Sequence, residues 1–236
     1  MPHFRPLPIF TAVCAVMFAV LISLGVWQVQ RLHWKLGLIA EVNQSLAAPP
    51  ITLDQALALG EGAQYHRVLL DGWFLNDKEA YVYASGPDGA PVYHVLTPFE
   101  TRDRRILLVD RGIVPTKLID PMKRARGQLD ERVMLGVWRF PDPPGFFTPK
   151  PDRAHRIWYS RYVPDIAAAD RVTLAAPVVV EADAAPNPGG WPLGGQTQIA
   201  FRNEHLQYAI TWFLMAAALL GVYVAYHISR GRLRWK

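Results

Sequence analysis

Long apolar runs stand near both ends of the chain, and a shorter-period pattern fills the space between them. Leu7 to Trp27 contains no Asp, Glu, Lys or Arg, and 21 such residues at ~1.5 Å each are enough to cross a hydrocarbon layer of roughly 30 Å. Leu206 to Ser229 is equally free of formal charge and carries Trp212, Tyr223 and Tyr226 where interfacial aromatic belts fall. Both runs predict membrane-spanning helices. The first is longer than the core of about 7 to 15 residues in a cleaved signal peptide, lacks a small-x-small site before Trp27 and passes straight into an amphipathic segment, so a retained helix is expected.

That segment places Leu32, Leu36, Ile39, Val42 and Leu46 at helical spacing, which predicts that the first span continues outward as an amphipathic helix ending at Ala47 to Pro50. Thr52 to Leu59 reads as a short helix, with Thr52 as its cap and Asp54 in its first turn. After Gly62 the pattern changes to runs rich in β-branched and aromatic residues: Tyr65 to Phe74, Ala80 to Ala84, Val92 to Phe99, Arg105 to Gly112 and Arg132 to Phe140. Turn residues separate them, including Gly86-Pro87-Asp88-Gly89 and Thr101-Arg102-Asp103. Pro141 to Pro151 is too rich in proline for a helix or central strand and is expected as an extended loop. Val163 to Asp170 suits one more helix, Val178 to Glu181 one more strand, and Pro186 to Gly195 a loop leading back to the membrane.

The expected architecture is an α+β membrane protein, two transmembrane helices flanking a β-rich, antiparallel, barrel-like extracytoplasmic domain. The expected boundaries are a cytoplasmic N-terminus at 1–6, a first span at 7–27, a globular domain at 28–207, a second span at 208–228 and a basic tail at 229–236.

Charge fixes the orientation. The net charge is +5, with 20 acidic and 25 basic residues. Arg5, Arg230, Arg232, Arg234 and Lys236 lie just outside the two runs, and every other charged residue lies between Gln28 and Gln207, where the two signs balance. Positive charge beside a span marks the cytoplasmic side, so both termini are expected there. A pI near 9.4 that comes from membrane-flanking residues leaves the neutral domain without an electrostatic footprint for nucleic acid. Cys14, the only cysteine, falls inside the first span, so the domain has no disulfide and no thiol for copper or redox chemistry.

No hydrolase elbow, Walker loop, dinucleotide fingerprint, His-Glu-x-x-His helix or paired-cysteine motif is present. His66, His94 and His155 stand apart from other ligand types and are assigned no role. The membrane junctions are richer. Trp27, Arg31 and Trp34 or Lys35 share one helical face beside Gln28, while His205, Tyr208, Trp212 and Met215 or Ala216 share another. Spacing leaves two readings of these faces. They are interfacial anchors of the usual kind, or, if the spans pack together, they form a porphyrin or quinone-headgroup pocket in which imidazole ligates haem iron and Arg meets propionate.

Leu24-Gly25-Val26-Trp27-Gln28-Val29-Gln30-Arg31-Leu32-His33-Trp34-Lys35, Leu107 to Pro115 (LLVDRGIVP) and Asn203 to Phe213 (NEHLQYAITWF) together resemble the signatures of the Surfeit-locus (Surf/Shy) cytochrome c oxidase assembly proteins. Thr97-Pro98-Phe99 and Gly136 to Pro149 add weaker matches, and all run in family order over nearly the whole chain. Ile113 stands where the family pattern has tryptophan, and Trp138 where it is more often aliphatic.

The resemblance implies a non-enzymatic assembly factor for haem-copper terminal oxidases; since no Arg- and Ser-rich transit peptide precedes the first span, a bacterial inner membrane is expected ahead of a mitochondrial one. Its cargo would be haem a, and its partners the large catalytic subunit of cytochrome c oxidase and a haem a synthase or other assembly factors. Carried over residue by residue, the haem role falls on His205, with Tyr208, Thr211 and Trp212 beside it and Trp27, Gln28 and Arg31 facing it. Two other functions remain open: a scaffold that never touches haem, and a membrane-anchored enzyme with a site built from His66, His94, Asp110 and Arg111. For the last pair there is also a plain structural expectation. Adjacent strand residues point to opposite faces, and a buried Arg111 would pair with a carboxylate elsewhere in the sheet.

Overall fold

The computed structural model describes residues 3–86, 88–127, 131–141, 143–187, 189–197, 201 and 203–234. Pro87, Asp142, Pro188 and Lys236, read above as parts of a turn, two loops and the basic tail, lie outside them. In chain order the elements are β1 (His3–Phe4), α1 (Pro8–Ala47), α2 (Leu53–Leu59), β2 (Arg67–Phe74), β3 (Ala80–Ser85), β4 (Pro91–Thr101), β5 (Ile106–Pro115), β6 (Glu131–Arg139), β7 (Ile157–Trp158), α3 (Val163–Asp170), β8 (Val179–Ala182), α4 (His205–Ser229) and β9 (Leu233–Arg234). They divide between two units, residues 1–41 with 200–236, and residues 42–199.

The first unit is built on α1 and α4. Among the described residues these are the two helices long and apolar enough to cross a membrane, and each keeps most of its apolar window exposed. A helix apolar all round and unburied by protein needs hydrocarbon as its solvent. The two pair closely through small residues: a Cβ on Gly25 would stand 2.6 Å from the Phe213 ring, and Ala209 and Ala216 are buried. Farther along, Thr11 Oγ1 and Tyr223 OH share a hydrogen bond of 2.8 Å. Beyond the helices, β1 and β9 pair antiparallel, an element that two-residue runs do not announce. The helix expected beyond the first span is present, since α1 continues unbroken to Ala47.

The second unit is a barrel. Strand order β2-β6-β8-β5-β4, with β4 returning to β2, closes five strands, and β3 and β7 extend the sheet from β4. The barrel-like, β-rich domain is as expected, but the pairing is mixed rather than wholly antiparallel. β5 runs parallel to β8, and β3 parallel to β7. The cause is the late return of the chain. After β6 it passes through β7 and α3 and then re-enters between β5 and β6, antiparallel to β6 and therefore parallel to β5. The consecutive apolar residues Val178, Val179 and Val180 are all buried, as suits a strand covered on both faces.

One cluster fills the barrel with Leu70, Phe74, Phe99, Leu107, Val109 and Trp138, and Leu53 and Ala56 of α2 pack onto it. A second lies on the other face, where Val163 and Ile166 of α3 meet Val82, Leu96, Leu108 and Val179. Local signals position these helices. Thr52 and Gln55 make a reciprocal capping box at α2, with Thr52 N–H donating to Gln55 Oε1 at 2.8 Å. Residue 112 is glycine because its φ is +114° and a Cβ there would stand 2.0 Å from the Leu193 carbonyl oxygen.

Candidate functional site

The two junction motifs meet through one contact. His205, the first residue of α4, and Gln28 of α1 are joined by a 2.7 Å hydrogen bond between Nδ1 and Oε1. An amide oxygen can only accept, so Nδ1 carries the proton and donates. Nε2 is then left with a lone pair, and no described residue pairs with it. Imidazoles that ligate metal are set up in this way, one nitrogen held by an acceptor and the other turned to the ion. Among the described residues there is no group of three His, Cys, Asp or Glu side chains that could hold a bare metal ion.

One helical turn along α1 from Gln28, the Arg31 guanidinium lies 5.6 Å from the centroid of Trp27 and 5.4 Å from that of Trp34. The two indoles hold it by cation–π attraction while its planar fork stays available to a carboxylate. Lys35 lies 5.1 Å from the Phe201 ring. The remaining expected residues are less engaged. Tyr208 is exposed, Trp212 is half-buried, and Thr211 spends its hydroxyl on the Gln207 carbonyl of its own helix at 2.9 Å. His205 and Gln28 are thus brought together, and Trp27 and Arg31 form a cluster of their own beside Gln28.

Two polar groups escaped the sequence reading. Asn203 Oδ1, at the entry to α4, is buried without a hydrogen-bond partner among the described residues. His227, toward the other end of α4, is fully buried, with Nδ1 2.9 Å from the Tyr223 carbonyl and its ring 4.2 Å from that of Tyr223. Only the absence of charge in its run, where an imidazole is the most polar side chain, could have marked it.

In the second unit the residues of the supposed enzyme site part company. His94 Nδ1 lies 2.7 Å from Asp110 Oδ2, and the other Asp110 oxygen accepts from Gly112 N–H at 2.9 Å. Arg111 points the opposite way. It is buried over the Phe74 ring at 4.3 Å and donates to Glu79 Oε1 at 3.2 Å, the paired arginine that strand alternation predicts. His66 Nδ1 is buried and unpaired among the described residues, and the exposed His155 pairs with Asp152 at 2.7 Å.

Comparison with known proteins accounts for the order of these motifs. The model of the SURF1 family matches residues 15–217. Surfeit locus protein 1 of Mus musculus is 37% identical over 217 residues, covering 83% of this chain and 68% of the relative. The protein of the same name from Takifugu rubripes is 35% identical over 225 residues, covering 88% and 92%. A SURF1-like protein of Monosiga brevicollis is 36% identical over 215 residues, covering 86% and 81%. With a match of this extent the chain belongs to the SURF1 family.

Proposed function

We propose that this chain is a non-catalytic assembly factor for haem-copper terminal oxidases, and that it takes haem a on His205 and yields it to the large catalytic subunit of cytochrome c oxidase. Family membership supports the oxidase role, and the bond between His205 Nδ1 and Gln28 Oε1 carries the haem role. Gln28 fixes the tautomer and the ring orientation, leaving Nε2 to the iron. Arg31, held between Trp27 and Trp34, meets a propionate, while Tyr208 and Trp212 offer apolar surface to the macrocycle. A single imidazole binds iron more weakly than the two of a bis-imidazole site, so transfer exchanges the one bond to His205 for two at the acceptor and requires no catalysis.

In this reading Arg5, Arg230 and Arg232 lie on the cytoplasmic side of a bacterial inner membrane and the barrel on the outer side. The test is an absorption spectrum of protein purified in detergent from cells making haem a, beside His205→Ala prepared identically. A Soret band in the wild type that is lost in the variant supports the proposal. Two colourless preparations leave a scaffold that does not bind haem, and two equally coloured ones remove His205 as the ligand.

A further inference from the structure

The barrel unit carries a polar cleft that the haem reading does not use. One cavity of about 230 Å³ is lined by Ser85, His94, Arg139, Arg161, Glu181 and Gln196. A second of about 250 Å³ shares Arg139, Arg161 and Glu181 with it and adds Pro143, Pro144 and Ser160. A third, also about 250 Å³, shares Pro144 and Ser160 with the second and continues to Lys150, Tyr159 and Tyr162. The three make a run suited to something long and narrow.

The charges in this run are layered. Asp110 and Glu181 face each other on the parallel strands β5 and β8 and are buried, their side chains 3% and 9% exposed. Arg161 and Arg139 are 34% and 23% exposed. Arg161 reaches both carboxylates with one nitrogen, Nη1, at 2.6 Å from Glu181 Oε1 and 3.4 Å from Asp110 Oδ2. Arg139 approaches Glu181 only through Nε, at 3.8 Å, and lies over the Tyr65 ring at 4.6 Å. No other described acceptor takes their remaining N–H groups. The acids thus hold Arg161 and flank Arg139 from behind, and the two guanidiniums, more exposed than Asp110 and Glu181, line the cleft together with the Glu181 and Asp165 carboxylates. His94, 15% exposed and held through Nδ1 by Asp110, adds to the same wall an Nε2 that has no partner among the described residues.

Positioned guanidiniums with free donors are built for carboxylates, which they take two nitrogens at a time. We propose that this cleft docks an extended acidic segment of a partner polypeptide, with an Asp or Glu carboxylate on Arg139 and Arg161 and neighbouring residues along Pro144, Tyr159 and Tyr162. Nothing in this assignment depends on haem at His205.

The test uses the full chain in detergent at low salt and the fluorescence anisotropy of a labelled peptide with a Glu-Asp-Glu core, beside its Gln-Asn-Gln counterpart. The acidic peptide is expected to bind at least about tenfold more tightly, the size of one charge-assisted hydrogen bond. Arg139→Gln, which gives up the 3.8 Å approach to Glu181 and the stacking on Tyr65, should remove that preference while the chain still melts cooperatively. Arg161→Lys, which keeps the charge and loses the fork, should weaken binding too, and Lys117→Gln, at an exposed lysine outside the cleft, should not. Equal affinity for the two peptides overturns the proposal, as does equal weakening by Arg139→Gln and Lys117→Gln. Displacement of the peptide by acetate at matching concentration would show a simple anion site and overturn it as well.

Discussion

Arg124 sets Nη2 2.7 Å from Oε2 of Glu79, and both side chains are buried. The same carboxylate also receives Arg111 Nη1 at 3.2 Å and the Tyr81 hydroxyl at 2.8 Å. Two cations share one anion inside the sheet. Burial pushes Arg111 down to about 10, a further sign that its charge is held at a cost, and burial also pushes the Tyr81 hydroxyl up. Glu79→Gln would leave two buried guanidiniums uncompensated and should destabilise the barrel unit by about 3 to 5 kcal/mol. Chemical denaturation of the full chain in detergent, followed by tryptophan fluorescence, measures the loss; a change below about 1 kcal/mol would show that the cluster relaxes into solvent.

Gly112→Ala should be worse tolerated than its size suggests. The new methyl would have to enter the space of the Leu193 carbonyl, and the backbone at 112 lies where L residues are strained. A cost of at least about 2 kcal/mol follows, with the Asp110 bond to the residue 112 N–H disturbed as well. Limited proteolysis should find the variant cut faster than wild type.

Gln28→Leu keeps the volume of the side chain and removes the acceptor for His205. On the role proposed for His205, haem affinity should fall about 10- to 100-fold, the usual effect of losing the partner that orients a ligating histidine. Titration of the purified apoprotein with haem, read at the Soret band, gives the number; unchanged affinity would remove Gln28 from the site.

Asp103 titrates in a predictable window. Hydrogen bonds from Arg105 and Thr101 hold its carboxyl down to about 2 against an ordinary 3.8. A depressed carboxylate stabilises the fold above its unfolded pKa and loses that contribution as pH falls. Wild type should therefore melt slightly above Asp103→Asn at neutral pH, and the two should converge between about pH 4 and pH 2. A constant difference across that range would show that the stabilisation does not depend on the charge.

What the sequence made legible was whatever depends on near neighbours. α3 falls on Val163–Asp170 as its pattern predicts, Thr52 caps α2, and the apolar runs become α1 and α4. Arg111 found its carboxylate because alternation along a strand is a local rule. Pairings over long separations were hidden. The contact of His205 with Gln28 spans 177 residues; periodicity placed each at a junction, and only the family resemblance set them facing each other. His94 stood apart from other ligand types in the sequence because its partner Asp110 lies opposite it only in the sheet. β7 and the β1–β9 pair are too short for any alternation to show.

The position of β8 has a consequence for how the protein is made. Ribosomes deliver a chain from its N-terminus, and here the strand that fills the gap between β5 and β6 is the last of the barrel to arrive. Until Val179–Ala182 has emerged, β5 and β6 each present an unpaired edge, the kind of surface that recruits other chains. A nascent chain stalled anywhere before that point is a sheet without closure, and a holding chaperone would have its longest task in the stretch between β6 and β8.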